Sequence, residues 1–159
     1  MKGRASFGAP ALGISYEETL MGAFYSPSEP HRQRPIVLRL TARAPSLAEL
    51  VRSRTVGVDG HLLASGLASE AEARGTIRLT REGLSAIVAY RVLFEDDGGE
   101  RRVLAVTKRF DLRAPYPSLT VLAGTIADER GAAKATCLLR FDARSDLVTH
   151  LRSFRVSLR

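Results

Sequence analysis

Cysteine is almost absent from this chain of 159 residues: Cys137 stands alone. That excludes an internal disulfide framework and any cysteine-based zinc or iron–sulfur centre. The three histidines, His31, His61 and His150, are scattered without metal-ligand spacing, so no metal is expected. No apolar run approaches the roughly 18 residues that span a bilayer. The first 13 residues form a polar, Gly/Ala/Pro-rich flexible leader without the continuous apolar stretch of a signal peptide. A soluble, cytoplasmic chain is therefore expected, with residues 14–159 as a single domain whose 45% apolar content is enough for one core.

Lysine is scarce too. Only Lys2, Lys108 and Lys134 are lysines, and the other 21 of the 24 basic residues are arginines. The net charge of +7 permits an anionic partner without requiring one. The arginines fall in separate pairs with acidic neighbours such as Glu49, Glu100 and Asp146, and no basic run is interleaved with aromatics. This describes a solvated, mixed-sign surface, and nucleic acid is not an expected partner. Chemical motifs are missing as well. There is no Gly-x-Ser-x-Gly elbow, and Gly57-Val58-Asp59-Gly60 lacks the glycine spacing of a nucleotide loop, so neither hydrolysis nor a cofactor is indicated.

What is present is alternation. From Ile14 onward apolar and polar residues alternate between turn signals, the mark of antiparallel strands with one buried face. Eight strands are expected, over Ile14–Tyr25, Arg34–Thr41, Thr55–Ala64, Gly75–Thr80, Leu84–Glu95, Arg101–Arg113, Ser118–Asp128 and Ala132–Phe141. Glu95 to Glu100 and Asp128 to Gly131 have the Asp/Gly chemistry of hairpin tips. Two short helices are expected over Ser46–Arg52, opened by a Ser46/Glu49 capping box, and over Arg144–Arg152. Leu38 to Arg43 resembles Leu139 to Arg144, and Leu47 to Val56 resembles Leu147 to Val156, which suggests a pseudo-two-fold repeat of hairpin plus helix. The expected fold is mainly β, an antiparallel barrel or sandwich of about eight strands, with a plain open sandwich as the alternative.

Two charges break the apolar faces. Glu18 is in step with Ile14, Tyr16, Leu20 and Phe24, and Lys108 lies between Val106 and Phe110 on the apolar face of its strand. Unpaired charges inside a core are costly, so two opposite charges directed inward are expected to meet. Three readings are open: a structural ion pair or water-reaching strand ends, a ligand anchor, or a catalytic acid or base. Cys137, in step with Ala135 and Leu139, reads as a buried small hydrophobe.

Tyr16-Glu17-Glu18-Thr19-Leu20-Met21-Gly22 resembles the Phe-Thr-Glu-Thr-Met-x-Gly opening of an accessory β-domain. That domain accompanies cholesterol-oxidase-like flavoproteins of the glucose-methanol-choline oxidoreductase family. Similar features follow in the same order: Tyr90 to Phe94 before an Asp-Gly hairpin, a strand ending in Lys108, the strand from Ser118 to Val121, and a closing helix from Leu147 to Val156. The chain departs from the pattern at Val106, where the family has glycine, and at Tyr16 and Leu20, where it has phenylalanine and methionine. The resemblance implies a stand-alone relative of the accessory domain, without flavin or oxidase activity, that binds an apolar or lipid-like molecule or regulates a partner enzyme. The expected ligand-binding residues are Glu18, Lys108, Tyr16, Tyr90, Phe94 and Phe110, with no catalytic residue and no cofactor. The other expected role is protein interaction or homo-oligomer assembly through a strand edge or an arginine-rich face.

Overall fold

A computed structural model describes residues 12–111, 121–141 and 155–158. Eight strands follow one another as an antiparallel meander: β1 (Leu12–Ser26), β2 (Glu29–Ala44), β3 (Thr55–Ala64), β4 (Ala68–Glu82), β5 (Ser85–Glu95), β6 (Arg101–Asp111), β7 (Val121–Asp128) and β8 (Ala133–Arg140). Each pairs with the next, and β8 returns to pair with β1, so the sheet closes into an eight-stranded barrel and the open sandwich is set aside. A ninth strand, β9 (Arg155–Leu158), extends the barrel by pairing with Leu12–Ser15 of β1. The described helix is little more than α1 (Leu47–Ser53) between β2 and β3.

Alternation decides which side chains enter the barrel. Ile36, Leu38 and Leu40 on β2, Val92 on β5, Leu104 and Val106 on β6, and Leu122 and Ile126 on β7 are almost wholly buried. Eight strands enclose a lumen about wide enough for side chains to fill. Here they fill it: Leu20, Leu38, Leu62, Leu104, Leu122 and Leu139 are all at 0% exposure, so the middle of the barrel is a packed core and not a channel. Any site lies towards an end. One end carries α1 and the β4–β5 turn, and the other carries the hairpins after β1, β3, β5 and β7.

Closure needs bends, and glycine supplies them where neighbouring backbones touch. A Cβ on Gly124 would stand 1.9 Å from the carbonyl oxygen of Ala105, and one on Gly22 would stand equally close to that of Leu138. The expected hairpin tips are present. Asp96 accepts from the N–H groups of Gly98 (3.0 Å) and Glu100 (2.9 Å), and Asp128 accepts from those of Arg130 (3.0 Å) and Ala132 (2.9 Å). Asp97 also ties the β5–β6 hairpin to the β3–β4 hairpin, accepting from the backbone N–H and the hydroxyl of Ser69 at 2.8 and 2.9 Å.

Several expectations change in detail. The second strand begins at Glu29 and not Arg34, so it includes His31. Pro35 is tolerated there because β3 has ended, and its carbonyl still takes the Ser65 N–H at 3.0 Å. The fourth strand begins at Ala68 and not Gly75. Small alanines mark its inner face weakly, and a bulge near Glu70 (φ 64°) shifts its phase. Arg155 and Val156 are strand and not the end of a closing helix. At α1, Ser46 accepts the Glu49 N–H at 3.0 Å as the capping box requires, while the Glu49 carboxylate pairs with Arg52 at 2.6 Å. The second expected helix, Arg144–Arg152, and with it most of the second repeat copy, lies outside the described residues, as does His150.

Candidate functional site

The pleat of β1 turns Tyr16, Glu18 and Leu20 inward, and Glu18 sits opposite Leu40 of β2 near the α1 end. Glu18 is buried, at 8% exposure. Tyr90 enters from β5, four strands away and so across the lumen. Its hydroxyl donates to both carboxylate oxygens of Glu18, at 3.0 and 2.9 Å. A carboxylate in an apolar core is expensive unless such a donor receives it.

The neighbours respond to the same charge. Burial pushes the Tyr90 phenol far above its ordinary range, and the negative charge of Glu18 pushes it further. Tyr16, half-buried against the core, is raised by burial and by Glu18 in the same way. Both phenols are therefore neutral donors. Lys108 enters from β6 beside Val88 of β5. Burial holds its ammonium below the usual lysine value, while Glu18 pulls in the opposite direction. Carboxylate and ammonium thus act on one another electrostatically, both towards the α1 end of the barrel. The Lys108 ammonium also lies 5.8 Å from the centroid of the Phe141 ring.

Phe141, just beyond β8 and in the inward phase of Leu139 as its sequence position implies, was not among the expected site residues. Phe94 is buried but belongs elsewhere. It lies four residues beyond Tyr90 on β5, about 13 Å towards the hairpin end. Phe110 pairs with Ala86 through its backbone, and its side chain lies outside the described residues. His31 and His61 are exposed on the outer wall. Among the described residues, no three His, Cys, Asp or Glu side chains gather where they could hold a metal ion. No described helix is long and apolar enough to cross a membrane.

Fold and site together define a closed up-and-down β-barrel with a filled middle and a carboxylate–phenol–ammonium cluster at one end. No family model, no curated protein and no solved structure matches the chain.

Proposed function

We propose that the protein is a non-enzymatic binding module for a small, largely apolar or lipid-like molecule, seated at the α1 end of the barrel. Glu18 and Lys108 are its polar anchors, and Tyr16 and Tyr90 are its aromatic surroundings. The observation that carries this reading is the Glu18–Tyr90 bond across the lumen with Lys108 coupled to it. Buried ionic groups are often replaceable by apolar ones without loss of stability. Retaining a carboxylate, an ammonium and two neutral phenols at one end gives a ligand's polar head both donors and acceptors beside an apolar core. The likeness of Tyr16 to Gly22 to the accessory domain of cholesterol-oxidase-like flavoproteins supports the same role, a module acting beside a partner enzyme without a cofactor of its own.

Native mass spectrometry of the gently purified full chain tests it, followed by titration with the neutral apolar dye Nile red. Bound apolar mass, or dye binding weakened in Lys108→Met and Glu18→Gln, is the expected result. A chain that binds nothing, or variants that bind as well as the parent, would refute it.

A second reading, assembly with another copy of the chain, draws on the outer wall. There Met21, Val37 and Leu63 align across β1, β2 and β3, and Met21 and Leu63 are each 47% exposed. Closure engages most of the sheet's edges, so this wall and not a strand edge would make the contact. A dimer in light scattering that Leu63→Glu dissociates would favour it.

A further inference from the structure

Inward-facing cations also stand at the hairpin end. On β2 the buried alternation of Ile36, Leu38 and Leu40 runs back to Arg34, and on β6 that of Leu104 and Val106 runs back to Arg102. Strand pleating therefore aims both guanidinium groups towards the lumen. Their side chains are only 27% and 18% exposed, whereas Arg101, Arg109 and Arg43 on the outside are above 60%.

Each inward arginine is held from behind by an acid. Glu29 pairs with Arg34, and the Asp96 carboxylate accepts Arg102 Nε at 2.7 Å while the Gly98 and Glu100 N–H groups fix that carboxylate in turn. Binding Arg102 through Nε leaves its two terminal nitrogens, the fork that matches a planar oxyanion, on the side away from Asp96. Both arginines line a cavity of about 710 Å3 whose apolar side includes Phe24, Leu67 and Ile126. That volume falls in the range of roughly 300–1,000 Å3 typical of small-molecule sites. Three acids also reach the rim: Asp128 is engaged by Lys134 and Glu129 by Arg101, each at 3.3 Å, and Glu100 makes no ion pair among the described residues, so the lining still carries more basic than acidic side chains.

We propose that this hairpin-end cavity is a second binding site, for an amphipathic organic anion whose carboxylate is held by Arg34 and Arg102 and whose aromatic or alkyl body rests on Phe24, Leu67 and Ile126. It is separated from the Glu18 cluster by the packed middle of the barrel and does not depend on that cluster being a site.

The test uses two dyes that differ by one charged group, 8-anilinonaphthalene-1-sulfonate and neutral N-phenyl-1-naphthylamine, titrated into the full chain. The sulfonate stands in for the carboxylate. The anionic dye is expected to bind about tenfold tighter than the neutral one or better, as a charge-assisted hydrogen bond implies. Octanoate should displace it and octanol should not. Arg102→Gln and Arg34→Gln, each checked by circular dichroism for an intact fold, should each abolish most of the preference, while Glu18→Gln and Lys108→Met leave the affinity for the anionic dye unchanged. Equal affinity for the two dyes, or equal displacement by octanol, would overturn the proposal in the unmodified protein without any variant. So would a preference that survives in both arginine variants. A preference lost only in Lys108→Met would place the anion at the other end, which defeats this inference while leaving the Glu18 site standing.

Discussion

The hydroxyl of Tyr90 reaches across the barrel from β5 and donates to both carboxylate oxygens of Glu18 on β1, at 3.0 and 2.9 Å. Strands four apart in a ring of eight face one another, so this bond joins opposite walls directly. It fixes the separation of β1 and β5 at the α1 end, below which apolar packing takes over.

Removing the donor and removing the acceptor should therefore differ. Tyr90→Phe strips the buried carboxylate of its phenol and should destabilise the fold by about 1–3 kcal/mol. Glu18→Gln keeps an acceptor for the phenol and should cost less. Combining Tyr90→Phe with Glu18→Leu should recover part of the loss, because no buried carboxylate is then left short of a donor. Urea unfolding of Tyr90→Phe, Glu18→Leu and the double variant, with Glu18→Gln alongside, measures the cycle. Strictly additive losses would show that the two side chains are not coupled.

Barrel curvature makes a second, sharper distinction among glycines. Gly124→Ala places a methyl group 1.9 Å from the Ala105 carbonyl oxygen, a backbone atom that cannot swing aside. A loss of about 3 kcal/mol is expected from such overpacking. Gly57 lies on the exposed face of β3 with nothing within 4 Å of an added Cβ. Gly57→Ala should be neutral or stabilising by a few tenths of a kcal/mol, since alanine loses less backbone freedom. Thermal melts of the two variants compare them, and similar losses at both positions would contradict the bend at Gly124.

The fold's acid sensitivity should trace in part to Asp96. Burial raises its carboxyl, but the Glu100 N–H, the Arg102 guanidinium and the Gly98 N–H together outweigh that and hold it below the ordinary aspartate range. In the unfolded chain the carboxyl titrates near its usual value of about 3.9. The folded state is thus favoured above that pH, and the advantage disappears as pH falls through it towards the lower folded value. Asp96→Asn should be less stable than the parent at pH 7, by about 1–3 kcal/mol from the lost charged hydrogen bonds, and the gap should narrow by pH 3. Melts at the two pH values decide it, and a gap that does not change with pH would exclude the carboxylate as its source.

How much of this was legible in the sequence depended on whether a property belongs to one strand or to the closed ring. The alternation Val56, Val58, Leu62, Ala64 located β3 to the residue, and the Asp–Gly chemistry located the tips at Asp96 and Asp128. Glu18 and Lys108 were legible because each interrupts an apolar face. Tyr90 was expected in the same site through the resemblance, but its bond to Glu18 follows only from bringing β5 opposite β1. The same limit misplaced Phe94: alternation shows which way a side chain points and not how far along the barrel it lies. Arg34 and Arg102 were in the right phase all along, yet an arginine at the start of a strand is ordinary, and only closure turns both into lumen-facing groups. β9 escaped because four residues are too few to show a period.

Cys137 offers a direct measure of that closure. It lies on β8, opposite Gly124 of β7 on one side and Phe24 of β1 on the other, so it occupies the seam where the last strand of the meander meets the first. Its side chain is at 0% exposure, and burial pushes the thiol up to about 12, which leaves almost no thiolate at pH 8. A disulfide reagent should therefore leave the native protein unmodified at that pH and react fully in denaturing urea. Between those limits the labelling rate should climb with urea as steeply as global unfolding does, because the thiol can be reached only by parting β8 from both neighbours. Labelling that proceeds in the absence of urea, or that ignores its concentration, would mean that β8 detaches while the rest of the barrel stays folded.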